Sequence, residues 1–325
     1  MNILGIETSC DETAASVVRN GTDILSNIVL SSLKEHARYG GVIPEIASRR
    51  QLEWIAPVVK QALQKAQLPL KKIDLIAVTE NPGLIGSLLV GLAFARALGA
   101  SQHTPVIPLD HIKAHAYASF LRFASQKNNR TSQKQAPVKL PVVALVVSGG
   151  HSNLYYVPHF KKFRLIGQTI DDAAGEAFDK VARILSLGYP GGPAIEQAAR
   201  SVRSTRIRFK CGKPKEKLHF SFSGIKTAVL YYHRDYSGQF DFSVNEVAYA
   251  FQKSVVDDLV LKSVQACLKN KVKHLVVGGG VSANAFLRRS LTLAAEHHGI
   301  STFFPPLSLC TDNAAMVAGL AYHIR

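Results

Sequence analysis

One pattern occurs twice along this chain, and it sets the architecture. Residues 2–7 read as a buried strand, 8–13 as a polar turn, 14–19 as a second strand and 23–29 as a third, with Asn20-Gly21 as the hairpin turn. Residues 141–147, 148–152, 153–157 and 163–169 repeat the order strand, polar turn, strand, strand. Alternating helices and strands follow each meander. Repetition of a whole supersecondary unit is a statement about fold. It predicts an α/β protein of two duplicated lobes around a central cleft, with polar turns from both lobes facing that cleft. The lobes are expected at 1–123 and 140–325, the last helix returning Asp312 to the cleft. Residues 124–139, polar and poor in apolar side chains, read as a linker or surface loop.

In the first half a polar loop at 33–41 precedes a long helix at 44–66. Ile46, Leu52, Ile55, Val59 and Leu63 keep helical spacing there, and Pro44 suits its first turn. A strand at 73–78, an apolar helix at 84–100, a strand at 105–110 and a helix containing His111 and His115 complete it. The apolar run 84–100 is broken by Ser87 and Arg96, is short of the roughly 20 residues of a membrane span, and reads as a buried helix. The second half reads as helices near 173–187, 193–200, 223–233, 243–268, 282–297 and 312–323, with strands at 274–277 and near 302–304.

Composition narrows the class of partner. The formal charge of +16 over 325 residues predicts a polyanion, with nucleic acid first and simple solubility the alternative. The chain opens on a strand and acidic residues rather than a signal pattern. Cys10, Cys211, Cys267 and Cys310 are scattered without a CxxC. That argues against a disulfide framework or a cysteine zinc site and fits a reducing, cytoplasmic location.

His111 and His115 stand four apart, so on a helix they share one face and can share one metal ion. Two surface histidines at a helix start are the alternative. The zinc-peptidase pattern HExxH requires Glu after the first histidine; here that residue is Ile112, so a peptidase site is not expected. Asp312, in Cys310-Thr-Asp-Asn313, can complete such a site as a carboxylate ligand or can cap the last helix. Three turns carry glycines or hydroxyls: 7–13, 147–151 and 278–284. Glycines let a phosphate or nucleoside approach the backbone, and N–H groups at a helix start attract anions, so a nucleotide is expected in the cleft. Asp179 can accept from ribose hydroxyls, and Gly191 and Gly192 let a ring pass. From 200 to 217, Arg203, Arg206, Arg208 and Lys210 belong to a run of cations with one acid, Glu216. This is either a phosphate-binding segment or a solvated loop. Arg38, Tyr39, Arg49 and Arg50 form a second basic patch.

Taken together, Gly5-Ile-Glu-Thr-Ser-Cys-Asp-Glu-Thr13, the pair His111 and His115, Val147-Ser-Gly-Gly-His151, Asp171-Asp-Ala-Ala-Gly-Glu-Ala-Phe-Asp-Lys180, Tyr189-Pro-Gly-Gly-Pro193, Phe220-Ser-Phe-Ser-Gly-Ile-Lys226, Gly278-Gly-Gly-Val-Ser-Ala-Asn284 and Cys310-Thr-Asp-Asn313 resemble the bacterial TsaD family. This family supplies a subunit of tRNA threonylcarbamoyladenosine synthase. The resemblance covers 5–313 in order. It implies the actin-like, hsp70-like, sugar-kinase-like fold. It implies transfer of threonylcarbamoyl from threonylcarbamoyl-adenylate to N6 of the adenosine 3′ of the anticodon, in tRNAs reading codons that begin with A. It further implies one divalent metal ion, Fe(2+) ahead of Zn(2+), on His111, His115 and Asp312. Donor contacts are implied at Val146, Val147, Ser148, Gly149, Gly150, Asp179, Gly192, Glu196 and Asn284. The implied partners are tRNA, a paralogous TsaB subunit, the small ATPase TsaE with ATP used by the complex, and a TsaC-type synthase that supplies the adenylate; no membrane is implied. Ala114 departs from the glycine many relatives carry before the second histidine. The donor is an activated mixed anhydride, so no protein nucleophile is needed. Asp11 or Glu12 is expected to act as base or to position a group. The alternatives to this function are a metallopeptidase and a sugar-kinase-like ATPase of the same fold.

Overall fold

The structure, a computed structural model, describes residues 1–124, 138–239 and 243–325. It divides into two compact units, 1–138 with 305–325, and 139–304. Residues 125–137 of the expected linker lie outside the described residues.

In the first unit the strands β1 (Asn2–Glu7), β2 (Glu12–Arg19) and β3 (Asp23–Ser31) form the antiparallel meander. A short helix, α1 (Leu33–Ala37), stands where a loop was expected. Next come α2 (Pro44–Ala66), β4 (Leu75–Asn81), α3 (Ile85–Gln102), β5 (Val106–Asp110), α4 (His111–Tyr117) and the two-residue strand β6 (Arg122–Phe123). The second unit runs β7 (Val142–Val147), β8 (Ser152–His159), β9 (Lys162–Gln168), α5 (Ala174–Ile184), α6 (Gly191–Ala199), α7 (Ser223–Tyr236), α8 (Val244–Lys269), β10 (His274–Gly278), α9 (Ala285–Glu296) and β11 (Ser301–Phe303). The chain then re-enters the first unit, which it completes with α10 (Ala314–Ile324).

The duplication holds at the level of strand order. The first sheet is β5-β4-β1-β2-β3-β6 and the second β11-β10-β7-β8-β9. In both, the first meander strand pairs antiparallel with the second and parallel with the strand after the crossover. Strands β1 and β7 sit inside their sheets, so both read as near-continuous apolar runs.

Alternation along β1 decides what covers each face. Leu4 and Ile6 join Ile55, Val58, Val59 and Ala62 of α2 in one core. Gly5 points the other way, onto α10, where a Cβ would come 2.2 Å from the Ala314 carbonyl oxygen. That missing methyl lets α10 lie against the sheet. It explains why residues 305–325, expected in the second lobe, belong to the first: α10 buries Ala314 to Ala321 against β1, β2 and α4. The second unit has its own core, in which Leu145, Val147 and Leu154 meet Phe178, Ile195, Phe251, Val255 and Leu287.

The expectation of a buried helix at 84–100 is corrected. In α3 only Ser87, Gly91, Ala95 and Gly99 are buried, a stripe of small residues at a four-residue spacing, while Ile85 is 79% and Leu89 60% exposed. Small side chains let α3 lie close to its neighbours α2 and β4 along that stripe. By length and composition α3 is long and apolar enough to cross a membrane, and it is the one such helix among the described residues. The helix expected at 282–297 begins later: residues 280–283 form a 3₁₀ turn and Asn284 caps α9.

Candidate functional site

The junction of β5 and α4 builds one half of the site. Asp110 ends the strand and caps the helix, its Oδ1 accepting from the Lys113 amide at 2.9 Å. The cap fixes where the first turn begins, so His111 and His115 both fall on the buried face, with ring centroids 4.6 Å apart and planes at 82°. Ala114 between them is fully buried. The other half comes from the turn before α10. Asp312 Oδ1 lies 3.0 Å from His115 Nε2 and 3.5 Å from His111 Nε2. One donor atom from each of the three residues falls within 4.8 Å of the others. Two imidazoles and a carboxylate around one point are a donor set for a borderline divalent ion such as iron or zinc, with further coordination positions left open. The capping role considered for Asp312 belongs instead to Asn313, whose Oδ1 accepts from the Met316 amide at 3.1 Å.

Behind His111 sits a carboxylate the sequence did not single out. Glu7, at the end of β1, is fully buried. Its Oε1 accepts from the Ser9 amide at 2.6 Å, and its Oε2 accepts from the Thr79 hydroxyl and lies 3.0 Å from His111 Nδ1. Burial opposes the charge on Glu7, yet the neighbouring His111 outweighs it and holds the carboxyl below its usual range. Burial likewise opposes an imidazolium at His111, but Asp312 and Glu7 lift it to about 9. A charged residue closing an otherwise apolar strand was the signal for Glu7.

The turn from Thr8 to Glu12 is clamped from α2 and α3. Gln51 Nε2 reaches three of its carbonyls, at Cys10 (2.8 Å), Glu12 (3.2 Å) and Thr8 (3.3 Å), and the Leu84 amide donates to Ser9 O at 2.8 Å. Gln51 is buried in register with Ala47 and Ile55. A polar residue at an apolar position of a helix was its signal. Asp11 and Glu12 share the Ser31 hydroxyl, 3.3 Å from each. Burial, with Asp312 and Asp11 nearby, pushes the Glu12 carboxyl well above its usual range.

In the second unit the expected donor contacts fall on the end of β7 and the turn after it, on α5 and α6, and at the cap of α9. Val146 and Val147 are the buried end of β7, and Ser148, Gly149 and Gly150 form the turn after it. The Gly175 amide, opening α5, donates to Ser148 O at 3.1 Å. Asp179 Oδ1 accepts from the Gly191 amide at 2.7 Å, holding the start of α6, and its pKa is raised by burial. Glu196 Oε1 accepts from the Ala285 amide at 2.8 Å, and Asn284 caps α9 while donating to Gln252 at 2.8 Å. Gly279 has φ +88, and a Cβ there would lie 2.3 Å from Val147 O, so this loop packs directly on β7. Gly149, Gly150, Gly192 and Gly280 instead have open space where a Cβ would stand. A cavity of about 530 Å³ adjoins these loops, lined by Glu196, Gln252, Ala285, Phe286 and Arg289 among others; of the expected contacts only Glu196 reaches it.

The basic segment is anchored by alternation. Ile207, Phe209 and Cys211 pack on the core, while Arg206, Arg208 and Lys210 between them are exposed, as is Arg203. Among the described residues none of these four cations is in a salt bridge. The second basic patch is different: Arg50 is held by Glu35 at 2.8 Å and Glu53 at 2.7 Å.

The profile of the TsaD family, tRNA N6-adenosine threonylcarbamoyltransferase, matches residues 23–319. A tRNA N6-adenosine threonylcarbamoyltransferase of Caldicellulosiruptor saccharolyticus is 46% identical over 323 residues, covering 99% of this chain and 92% of the relative. One from Clostridium botulinum is 45% identical over 325 residues with the same coverage. Among solved structures, component A of the (R)-2-hydroxyglutaryl-CoA dehydratase of Acidaminococcus fermentans superposes with a TM-score of 0.57 at 14% identity, covering 99% of this chain and 98% of that one. That likeness establishes the actin-like ATPase and sugar-kinase fold.

Proposed function

The chain belongs to the TsaD family of tRNA N6-adenosine threonylcarbamoyltransferases, and on that premise we infer the work of its parts. It is a tRNA-modifying acyltransferase that forms N6-threonylcarbamoyladenosine. The observation that carries this reading is the family match along nearly the whole chain. The acceptor is the adenosine 3′ of the anticodon in tRNAs reading codons that begin with A. The donor is threonylcarbamoyl-adenylate.

His111, His115 and Asp312 hold one divalent ion, Fe(2+) ahead of Zn(2+). When bound, such an ion polarises an oxygen of the substrate and orients it. The donor's anhydride is already activated, so the protein's task is placement and charge stabilisation rather than nucleophilic attack. The turn at 146–150 offers backbone amides and glycines to the adenylate phosphate. Asp179 and Glu196 are acceptors for ribose hydroxyls, and Gly192 and Asn284 complete the nucleoside contacts. Asp11 and Glu12 act as base or position the reacting groups. Arg203, Arg206, Arg208 and Lys210 take tRNA phosphates, which makes binding salt-dependent. The target base leaves its stack to react.

A paralogous TsaB subunit, the ATPase TsaE and a TsaC-type synthase complete the cytoplasmic system, with ATP used by the complex. The decisive experiment is mass spectrometry of nucleosides from tRNA incubated with threonylcarbamoyl-adenylate, the partner subunits and this protein. Threonylcarbamoyladenosine should appear with the wild type and be lost with His111→Ala. Its absence with the wild type would sink the reading.

A further inference from the structure

The histidine pair is asymmetric in what stands behind it. His115 is buried and its Nδ1 has no hydrogen-bond partner. His111 Nδ1 faces Glu7 Oε2 at 3.0 Å and the Ser9 hydroxyl at 3.1 Å. Glu7 has no freedom to turn away. The Ser9 amide fills Oε1 at 2.6 Å, and the Thr79 hydroxyl donates to the same Oε2 that meets the imidazole. With the Ser9 amide and the Thr79 hydroxyl both donating to it, Glu7 stands as an acceptor, so the proton of its contact with His111 sits on Nδ1. Between a carboxylate and a hydroxyl at nearly equal distance, the charged acceptor makes the stronger bond.

We propose that Glu7, buttressed by Thr79, is a positioning residue for the metal centre: it fixes His111 in the Nδ1–H form and aims the Nε2 lone pair at the point shared with His115 and Asp312. Which ring nitrogen binds a metal is set by the hydrogen bond the other makes. Loss of such an outer-shell partner typically costs about 10–100-fold in metal affinity. His111 is thus the pre-aimed ligand, while His115 has Asp312 at its Nε2 but no hydrogen bond on Nδ1 to fix its tautomer. The sequence places Glu7 and Thr79 on adjacent parallel strands, β1 and β4, at the ends that lead toward the site. This inference rests on the reading of His111, His115 and Asp312 as a metal site.

The test is Zn(2+) affinity, measured by competition with a chromophoric chelator, for the full-length wild type, Glu7→Gln, Thr79→Val and His115→Ala. Glu7→Gln keeps the shape but presents an amide that can donate, scrambling the histidine tautomer. It should bind Zn(2+) about 10–100-fold more weakly, and Thr79→Val should fall between it and wild type. Circular dichroism checks that each variant is folded. A second measurement needs no change at Glu7: ¹⁵N NMR of histidine side chains in the Zn(2+)-loaded wild type. The His111 signal, identified by its loss in His111→Ala, should show a protonated Nδ1 and a metal-bound Nε2. Wild-type affinity in folded Glu7→Gln, or metal on His111 Nδ1, overturns the inference alone. Absence of any His115-dependent Zn(2+) site in the wild type overturns the metal reading and this inference with it.

Discussion

Asp312 Oδ1 lies 3.0 Å from His115 Nε2, although the two residues are 197 positions apart in sequence. The contact exists because α10 is capped by the next residue, Asn313, and because Gly5 lets α10 settle on the sheet beside α4. Asp312→Asn keeps the shape and removes the charge. Metal retained after desalting should fall by more than the roughly 10–100-fold expected of an outer-shell change. Full metal content in that variant would remove Asp312 from the ligand set.

Asn313 has two duties. Its Oδ1 caps α10, and its Nδ2 donates to Thr311 O at 2.8 Å and Leu309 O at 3.2 Å. Asn313→Ala should cost about 1 kcal/mol or more from the lost cap. Asn313→Asp keeps the cap acceptor but loses both donors, so it should recover part of the stability while still loosening the turn that carries Asp312. Thermal melting and metal titration separate the two effects. Equal melting temperatures for wild type and Asn313→Ala would refute the capping argument.

The glycine-rich turns of the second unit fall into two kinds that mutation should separate. Gly279→Ala is strained by its positive φ and by contact with Val147 O, and should lower thermal stability. Gly150→Ala meets nothing in the protein. It should fold normally and raise the KM for threonylcarbamoyl-adenylate if the adenylate approaches there. An unchanged KM would place the donor elsewhere.

Asp172 accepts from Lys180 at 2.9 Å and Lys226 at 3.0 Å. Burial opposes its charge, but these partners outweigh burial and hold its pKa below the usual 3.8. A lowered carboxylate stabilises the fold above its unfolded pKa, and that contribution is lost as pH falls through the folded value. Asp172→Asn should therefore melt a few degrees lower than wild type at pH 7, consistent with up to about 1 kcal/mol for a partly exposed ion-pair network. The gap should begin to narrow as pH falls below 3.8 and close below the lowered folded value. A gap that does not narrow as pH falls below 3.8 would show that the loss is one of packing rather than charge.

Much of this was legible from local pattern. Both meanders, the bounds of α2 set by Pro44 and its apolar spacing, and the shared face of His111 and His115 follow from periodicities of two and 3.6. What failed was information that local pattern does not carry. Hydropathy gave α3 as buried because it sums apolar residues and ignores which face they occupy; Ser87, Gly91, Ala95 and Gly99 are the packed stripe, Leu92 and Leu98 are half-buried beside it, and Ile85 and Leu89 point outward. Sequence order put α10 in the second lobe, whereas a missing Cβ at Gly5 decides where it packs. Asp312 and Asn313 are both good caps on propensity, and only backbone geometry selects one. Glu7 lay inside a quoted motif, but its role depends on Thr79 and His111, residues 72 and 104 positions away.

Because the second unit is threaded between 138 and 305, the first unit is discontinuous in the order of synthesis. A growing chain can present the helix bearing His111 and His115 early, and can finish residues 139–304 as a complete folding unit. The sheet of β1 and β2 stays uncovered on its Gly5 face until residues 305–325 have been made, and Asp312 arrives with them. The cluster of His111, His115 and Asp312 is therefore completed only after residues 139–304 have been made.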